Sequence, residues 1–351
     1  MSDRDIFFFN TWYRGHNNPR YAELLPRLER VDSRLLTFPR GRITRAATER
    51  AWRSARTTLE PRLLRALERR HRYAFVSEVR QLASLRVPAV VDVDDPQFER
   101  DAALLEQPNV RAYVVTHGSA ARRFESIGVR TPWHVVPQGV ALDKLDSADV
   151  DAVARTLCPE GTVAVGYVAA FLLLPGDRGG DNPLYDVSHL LELWDAIVAR
   201  APDARLILVG TASRRLRRRV DGRRDVVLTG RVPRERLLAH LANFQIALYP
   251  RAADQGVRAV KTAEYLGVGV PVVSYDYDVV GDLREARAGV LVDTPRDFVD
   301  AVVGLVRNPS RRGALAEAAR KAGRARDWRL LAERYDAILD QHLPRRVGRL
   351  D

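Results

Sequence analysis

Along the chain, short apolar runs alternate with longer stretches in which apolar positions recur every three or four residues. The first run, Asp5–Asn10, empties into the polar loop Thr11-Trp12-Tyr13-Arg14-Gly15-His16-Asn17-Asn18, and a helix is expected from about Pro19. Tyr73–Val76 reads as a strand followed by a helix from Glu78. Ala89–Val93 reads as another, ending in a turn that carries Asp92, Asp94 and Asp95 before Pro96. Ala112–Thr116 precedes a helix from Ser119, a residue type that caps helices. His134–Pro137 closes the first half.

The second half repeats the theme. Strands are expected at Val163–Val168, Leu206–Val209, Val226–Leu228, Ile246–Tyr249, Val272–Tyr275 and Gly289–Val292. Helices are expected at Val187–Arg200, Arg234–Asn243, Val260–Gly267, Asp297–Arg307, Arg311–Arg326 and Arg329–Leu343. Strands each followed by a helix predict an α/β chain with parallel, doubly wound sheets. The polar stretch Gln138–Thr162 reads as a linker. The expected division is therefore a first Rossmann-like domain over 1–150, a second over 151–326, and a closing helix over 327–351. Two such domains facing across a cleft would bind ligands at the carboxyl ends of their strands.

Composition narrows the class. The 351 residues are 46% hydrophobic, enough for two cores and too many for a disordered chain. Cys158 is the one cysteine, so no disulfide scaffold is possible. No apolar run approaches the roughly 18 residues of a membrane span. The start, MSDRDIFFFN, puts acids ahead of a short apolar burst and lacks a small-residue cleavage site, so a cytoplasmic address is expected.

The net charge is +12, and the bases include only three lysines, Lys144, Lys261 and Lys321. The stretch Arg34–Arg72 holds 12 Arg and 3 Glu, with apolar residues at Trp52, Ala55, Leu59, Leu63, Leu64 and Leu67. It predicts one or two basic amphipathic helices broken near Pro61. Such a face suits the anionic inner surface of a membrane, at about 1 kcal/mol per base. It would equally serve as a solvated helix packed on its own sheet. The arginines are not interleaved with a run of stacking aromatics, which counts against a nucleic-acid partner.

The most specific string is Val260-Lys261-Thr262-Ala263-Glu264-Tyr265-Leu266-Gly267-Val268-Gly269-Val270-Pro271-Val272-Val273. A carboxylate at Glu264 can accept hydrogen bonds from both ribose hydroxyls. Lys261, one helical turn earlier, can join the helix N-terminus in holding a diphosphate. Gly267 and Gly269 let the chain turn, and Pro271 restarts it as a strand. As an ordinary surface pair, Lys261 and Glu264 would contribute only a few tenths of a kcal/mol.

This string, with Val226-Val227-Leu228-Thr229-Gly230-Arg231-Val232-Pro233 and Ala247-Leu248-Tyr249-Pro250 before it, resembles the nucleotide-sugar domain of GT-B glycosyltransferases, especially the retaining family-4 group. Val135-Val136-Pro137-Gln138-Gly139-Val140 is similar to that family's interdomain segment, and Asp327-Trp328 with Tyr335 to its closing helix. The resemblance implies a sugar transferase whose donor is a nucleoside-diphosphate sugar and whose acceptor is a hydroxyl on a lipid-linked, polysaccharide or secondary-metabolite substrate. It implies donor contacts at Lys261, Glu264, Arg258, Arg251, Gly256, Arg231, Gly230 and Arg178. Acceptor contacts are implied at Gly15, His16, Asn17 and His117.

Two departures stand out. The family's E-x7-E motif would put a Glu where this chain has Gly256, with Asp254 and Gln255 the nearest substitutes. Its phosphate-binding bases after the first strand are replaced by Val168-Ala169-Ala170-Phe171, and the next base is Arg178. Asp94 and Asp95 are the catalytic candidates, as a base toward the acceptor in an inverting reaction or as groups orienting the sugar in a retaining one. They serve equally well as turn formers before Pro96. His117 is open to a capping role. No metal-ligand spacing appears, so neither a metal nor any cofactor beyond the nucleotide-sugar co-substrate is expected. A sugar-nucleotide epimerase or phosphorylase of the same fold, or a non-catalytic subunit that kept it, are the alternatives.

Overall fold

The computed structural model describes residues 4–13, 19–38, 51–93, 102–157, 161–177, 184–251, 260–277 and 280–345. The chain divides into two compact units, one of residues 1–138 with 328–351, the other of residues 139–327.

The first unit is built on six parallel strands: β1 (Ile6–Tyr13), β2 (Val31–Phe38), β3 (Tyr73–Val76), β4 (Ala89–Val93), β5 (Val110–Val115) and β6 (Trp133–Val135). Their order is β2-β1-β3-β4-β5-β6, so the winding reverses between β1 and β3. Both faces of the central strands are covered, which is why they read as unbroken apolar runs. Phe7, Phe9, Ala74, Val76, Val91 and Tyr113 fill one side. Phe8 and Phe75 meet Tyr21 and Tyr335 on the other.

The strand β2 was not expected. Its sequence, VDSRLLTF, mixes polar residues into an edge strand, where Arg34 is exposed, and so reads as the start of the basic stretch. Arg34 therefore belongs to a strand and not to a helix. The basic helix proper covers 51–68, and it does not break at Pro61. Proline removes an N–H and crowds the preceding turn. The chain absorbs this in a wider π-helical turn, Ala55–Leu59, where the Thr57 and Thr58 hydroxyls donate to the Ser54 carbonyl. The expected helix from Glu78 is a short 3-10 segment, Val79–Ser84.

The C-terminal helix Trp328–His342 completes the first unit. Its buried residues Trp328, Leu331, Ala332, Tyr335, Ile338 and Leu339 form one stripe at helical spacing.

The second unit has strands β7 (Val163–Leu172), β8 (Ala204–Ala212), β9 (Val226–Gly230), β10 (Ile246–Tyr249), β11 (Val272–Tyr275) and β12 (Gly289–Val292), again all parallel. The order β12-β11-β10-β7-β8-β9 is that of a dinucleotide-binding sheet, with its switch point between β7 and β10. The stretch expected as a linker is part of this unit. Ser147–Leu157 is a helix, and the Val150 carbonyl accepts from Asn243 Nδ2 at 3.0 Å. Its alternating Asp and Val residues concealed the helix, because its buried stripe is narrow, at Val153 and Leu157.

Candidate functional site

In the second unit the switch point sets the middle of β7 beside the end of β10, and with them Tyr167 and Tyr249. The helix Val260–Gly267 lies here, with Thr262, Ala263, Glu264, Tyr265 and Leu266 all buried. Two close approaches hold it. A Cβ on Gly267 would stand 2.6 Å from Val140, and one on Gly323 of the helix Pro309–Arg324 would stand 2.3 Å from the Leu266 carbonyl oxygen. Gly267 is thus required by packing and not by a turn; the turn is made at Gly269, whose φ is 77°. The Tyr265 hydroxyl accepts from the Val168 N–H at 3.0 Å and fixes the helix to β7. Burial holds that phenol far above its ordinary pKa.

Lys261 lies on aromatic faces. Its Nζ is 4.2 Å from the centroid of Tyr167 and 5.8 Å from that of Tyr249. The Arg251 guanidinium carbon is 5.0 Å from the same Tyr249 ring. Burial, and then the charge of Arg251, push the Lys261 ammonium down to about 7, with Glu264 opposing. Glu264, almost wholly buried, is ion-paired through Oε1 with Arg234 of the helix Arg234–Ala242. The Tyr277 hydroxyl donates to the Arg251 carbonyl at 2.7 Å.

Of the donor candidates, Lys261, Glu264 and Arg251 therefore converge on one site. Gly230, with φ 74°, ends β9 at the far edge of the sheet, and Arg231 follows it exposed. Arg178, Gly256 and Arg258 lie outside the described residues. Sequence reasoning missed Tyr167, Tyr249 and Arg234. The tyrosines were counted only as strand residues. Arg234 was placed on its helix, but an ion pair across thirty positions leaves no local signal.

In the first unit the switch point lies beside β1 and β3, where Asn10 Nδ2 donates to Ser77 Oγ at 2.8 Å. His117, an acceptor candidate, is the N-cap of the helix Gly118–Ser126, a place expected for Ser119. Its Nδ1 accepts from the Ala120 N–H at 3.1 Å and lies 2.6 Å from the Ser119 hydroxyl. Asp92, expected in the turn with Asp94 and Asp95, is instead the fourth residue of β4 and fully buried in a structural pair. It takes Arg20 Nε at 2.9 Å and the Tyr335 hydroxyl at 2.8 Å. Asp94, Asp95, Gly15, His16 and Asn17 lie outside the described residues. Among the described residues, no group of three or more His, Cys, Asp or Glu side chains could hold a metal ion.

A parallel sheet of dinucleotide-binding order carries a buried carboxylate and two cations at its switch point, an arrangement that suits a nucleotide. Residues 181–308 match the family model of glycosyl transferases group 1. That match lies within the second unit, and the chain as a whole has the GT-B fold of two doubly wound sheets. It is similar to sucrose-phosphate synthase from Thermosynechococcus elongatus, at 15% identity over 96% of this chain and 99% of that one, with a TM-score of 0.69. HepE from Anabaena, solved with UDP and glucose, shares 14% identity over 96% and 99%, with a TM-score of 0.70. WaaG, a glycosyltransferase involved in lipopolysaccharide biosynthesis, shares 13% over 97% and 100%, with a TM-score of 0.63. At these identities the likeness is one of fold. No curated protein matches the sequence.

Proposed function

We propose that the second unit binds a nucleoside-diphosphate sugar at the β7–β10 switch point and that the chain transfers the sugar to an acceptor hydroxyl. The convergence of Lys261, Arg251 and Glu264 carries this reading. Glu264 accepts from the ribose hydroxyls, and the two cations meet the diphosphate. As the glycosidic bond breaks, negative charge grows on the departing diphosphate, and fixed cations in a dry site stabilise it. The resemblance alone supports Arg258 and Gly256 as further donor residues and Asp94 and Asp95 as catalytic ones. Titration calorimetry with UDP and GDP tests the site. Glu264→Ala should weaken nucleotide binding tenfold or more, as expected for losing charge-assisted hydrogen bonds of about 1.5–3 kcal/mol. Unchanged affinity would remove the site.

The acceptor side is proposed to meet an anionic lipid surface. A groove of about 770 Å³ in the first unit has Phe9, Leu63 and Leu67 in its wall and Arg4, Arg34 and Arg70 among its polar lining. Apolar side chains beside arginines, with Asp32 paired to Arg34, suit an acyl chain under a phosphate. No helix among the described residues is long and apolar enough to cross a membrane. Sedimentation with vesicles containing about one-third phosphatidylglycerol should show binding in 50 mM salt, and its loss in 500 mM, as roughly expected of screened surface charge. Binding that ignores salt would contradict the electrostatic part.

A further inference from the structure

Glu264 is the carboxylate offered to ribose, and its surroundings decide how it is presented. It is 2% exposed, and its Oε1 is closed to solvent. A carboxylate in such a place is costly unless a cation meets it. Lys261, one turn earlier, lies instead over the faces of Tyr167 and Tyr249. Among the described residues, the ion pair of Glu264 is made by Arg234, from another helix. Nothing in that helix itself calls for an arginine there. Arg234 is the first residue after the N-cap Pro233, where a cation opposes the helix dipole. Both ends of the pair stand on fixed backbone: Leu238, Ala239 and Leu241 of the one helix share a core with Tyr265 and Leu266 of the other.

Resting on the donor-site reading above, we propose that Arg234 is a positioning residue of the donor site: it fixes the Glu264 carboxylate for ribose and thereby sets a preference for ribonucleotides. A carboxylate has about four lone-pair sites on its two oxygens. Arg234 engages Oε1, and Oε2 is left for the 2′- and 3′-hydroxyls. Without the guanidinium the carboxylate turns more freely about its last torsion, and a contact that needs one orientation is made less often. The Arg234 side chain is 38% exposed, so its removal opens no cavity in the core.

Titration calorimetry with UDP and 2′,3′-dideoxy-UDP, and with GDP and 2′,3′-dideoxy-GDP as a second pair, reads the ribose preference as a ratio of affinities. The wild type should favour the ribonucleotide roughly tenfold or more, as expected of hydrogen bonds to a charged group. Arg234→Ala should cut that preference to about threefold or less. A lost long-range attraction for the diphosphate would weaken both members of a pair alike and leave the ratio where it was. Arg234→Lys, which keeps a cation but not the planar fork, should retain more of the preference than Arg234→Ala. In Glu264→Ala the two members of each pair should bind alike, and adding Arg234→Ala should not move their ratio further. A preference that survives undiminished in Arg234→Ala, or ribonucleotide binding that tightens in it, overturns the inference and leaves the donor site standing. Binding of neither ribonucleotide, or no ribose preference in the wild type, overturns the donor-site reading and the inference with it.

Discussion

At the scale of single residues, the first unit is most sensitive at Arg20. Its guanidinium is fully buried, paired with Asp92, and donates to the Val136 and Pro137 carbonyls at 3.0 and 3.1 Å. It also lies 5.7 Å from the Trp328 ring and 5.6 Å from that of Tyr335. Removing one partner of such a pair strands a charge away from water. Asp92→Ala should lower unfolding free energy by about 3–5 kcal/mol, read from urea melts. Tyr335→Phe should cost less, because it removes one hydrogen bond and keeps the ring. A near-neutral Asp92→Ala would mean that Arg20 finds water. The same residues show how far the sequence can be read. Lys261 and Glu264 were legible because the string around them is continuous and helix spacing fixes their shared face. Asp92 was grouped with the turn because its neighbours Asp94 and Asp95 are the same chemical type. One position along a strand decides whether a carboxylate is buried, and composition cannot convey that.

At the scale of elements, all six strands of the second unit and five of the six in the first stand where apolar runs placed them. Central parallel strands advertise themselves by unbroken hydrophobicity, whereas the edge strand β2 and the helix Ser147–Leu157, each half polar, do not. The last turn of the C-terminal helix is fastened to β6 by a pair of imidazoles. His134 Nε2 and His342 Nε2 lie 2.8 Å apart, so one must donate and the other accept. Burial lowers the pKa of His134, and burial together with the charge of His134 lowers that of His342. Histidines depressed below their unfolded value of 6.5 stabilise the fold above that pH and lose the contribution as pH falls through the folded value. The melting temperature of the wild type should thus drop more steeply between about pH 7 and pH 5 than that of His342→Gln, which cannot charge. Parallel curves would deny the pair any part in pH sensitivity.

At the scale of the whole molecule, the notable feature is that one unit is continuous and the other is not. Residues 139–327 form the second unit, and the first is made from 1–138 together with 328–351. A chain cut after Asp327 retains every strand of both sheets, yet it loses Trp328 and Tyr335, which cover Arg20 and Asp92. Limited proteolysis of that chain should leave a protected fragment beginning near residue 139 and digest the rest. Equal resistance of both parts would show that the last helix is dispensable to the first unit. The consequence reaches back to how the protein is made. Synthesis delivers the amino-terminal sheet well before the segment that closes over its buried guanidinium. The nascent sheet must wait on the ribosome while some two hundred further residues are added and its neighbour folds.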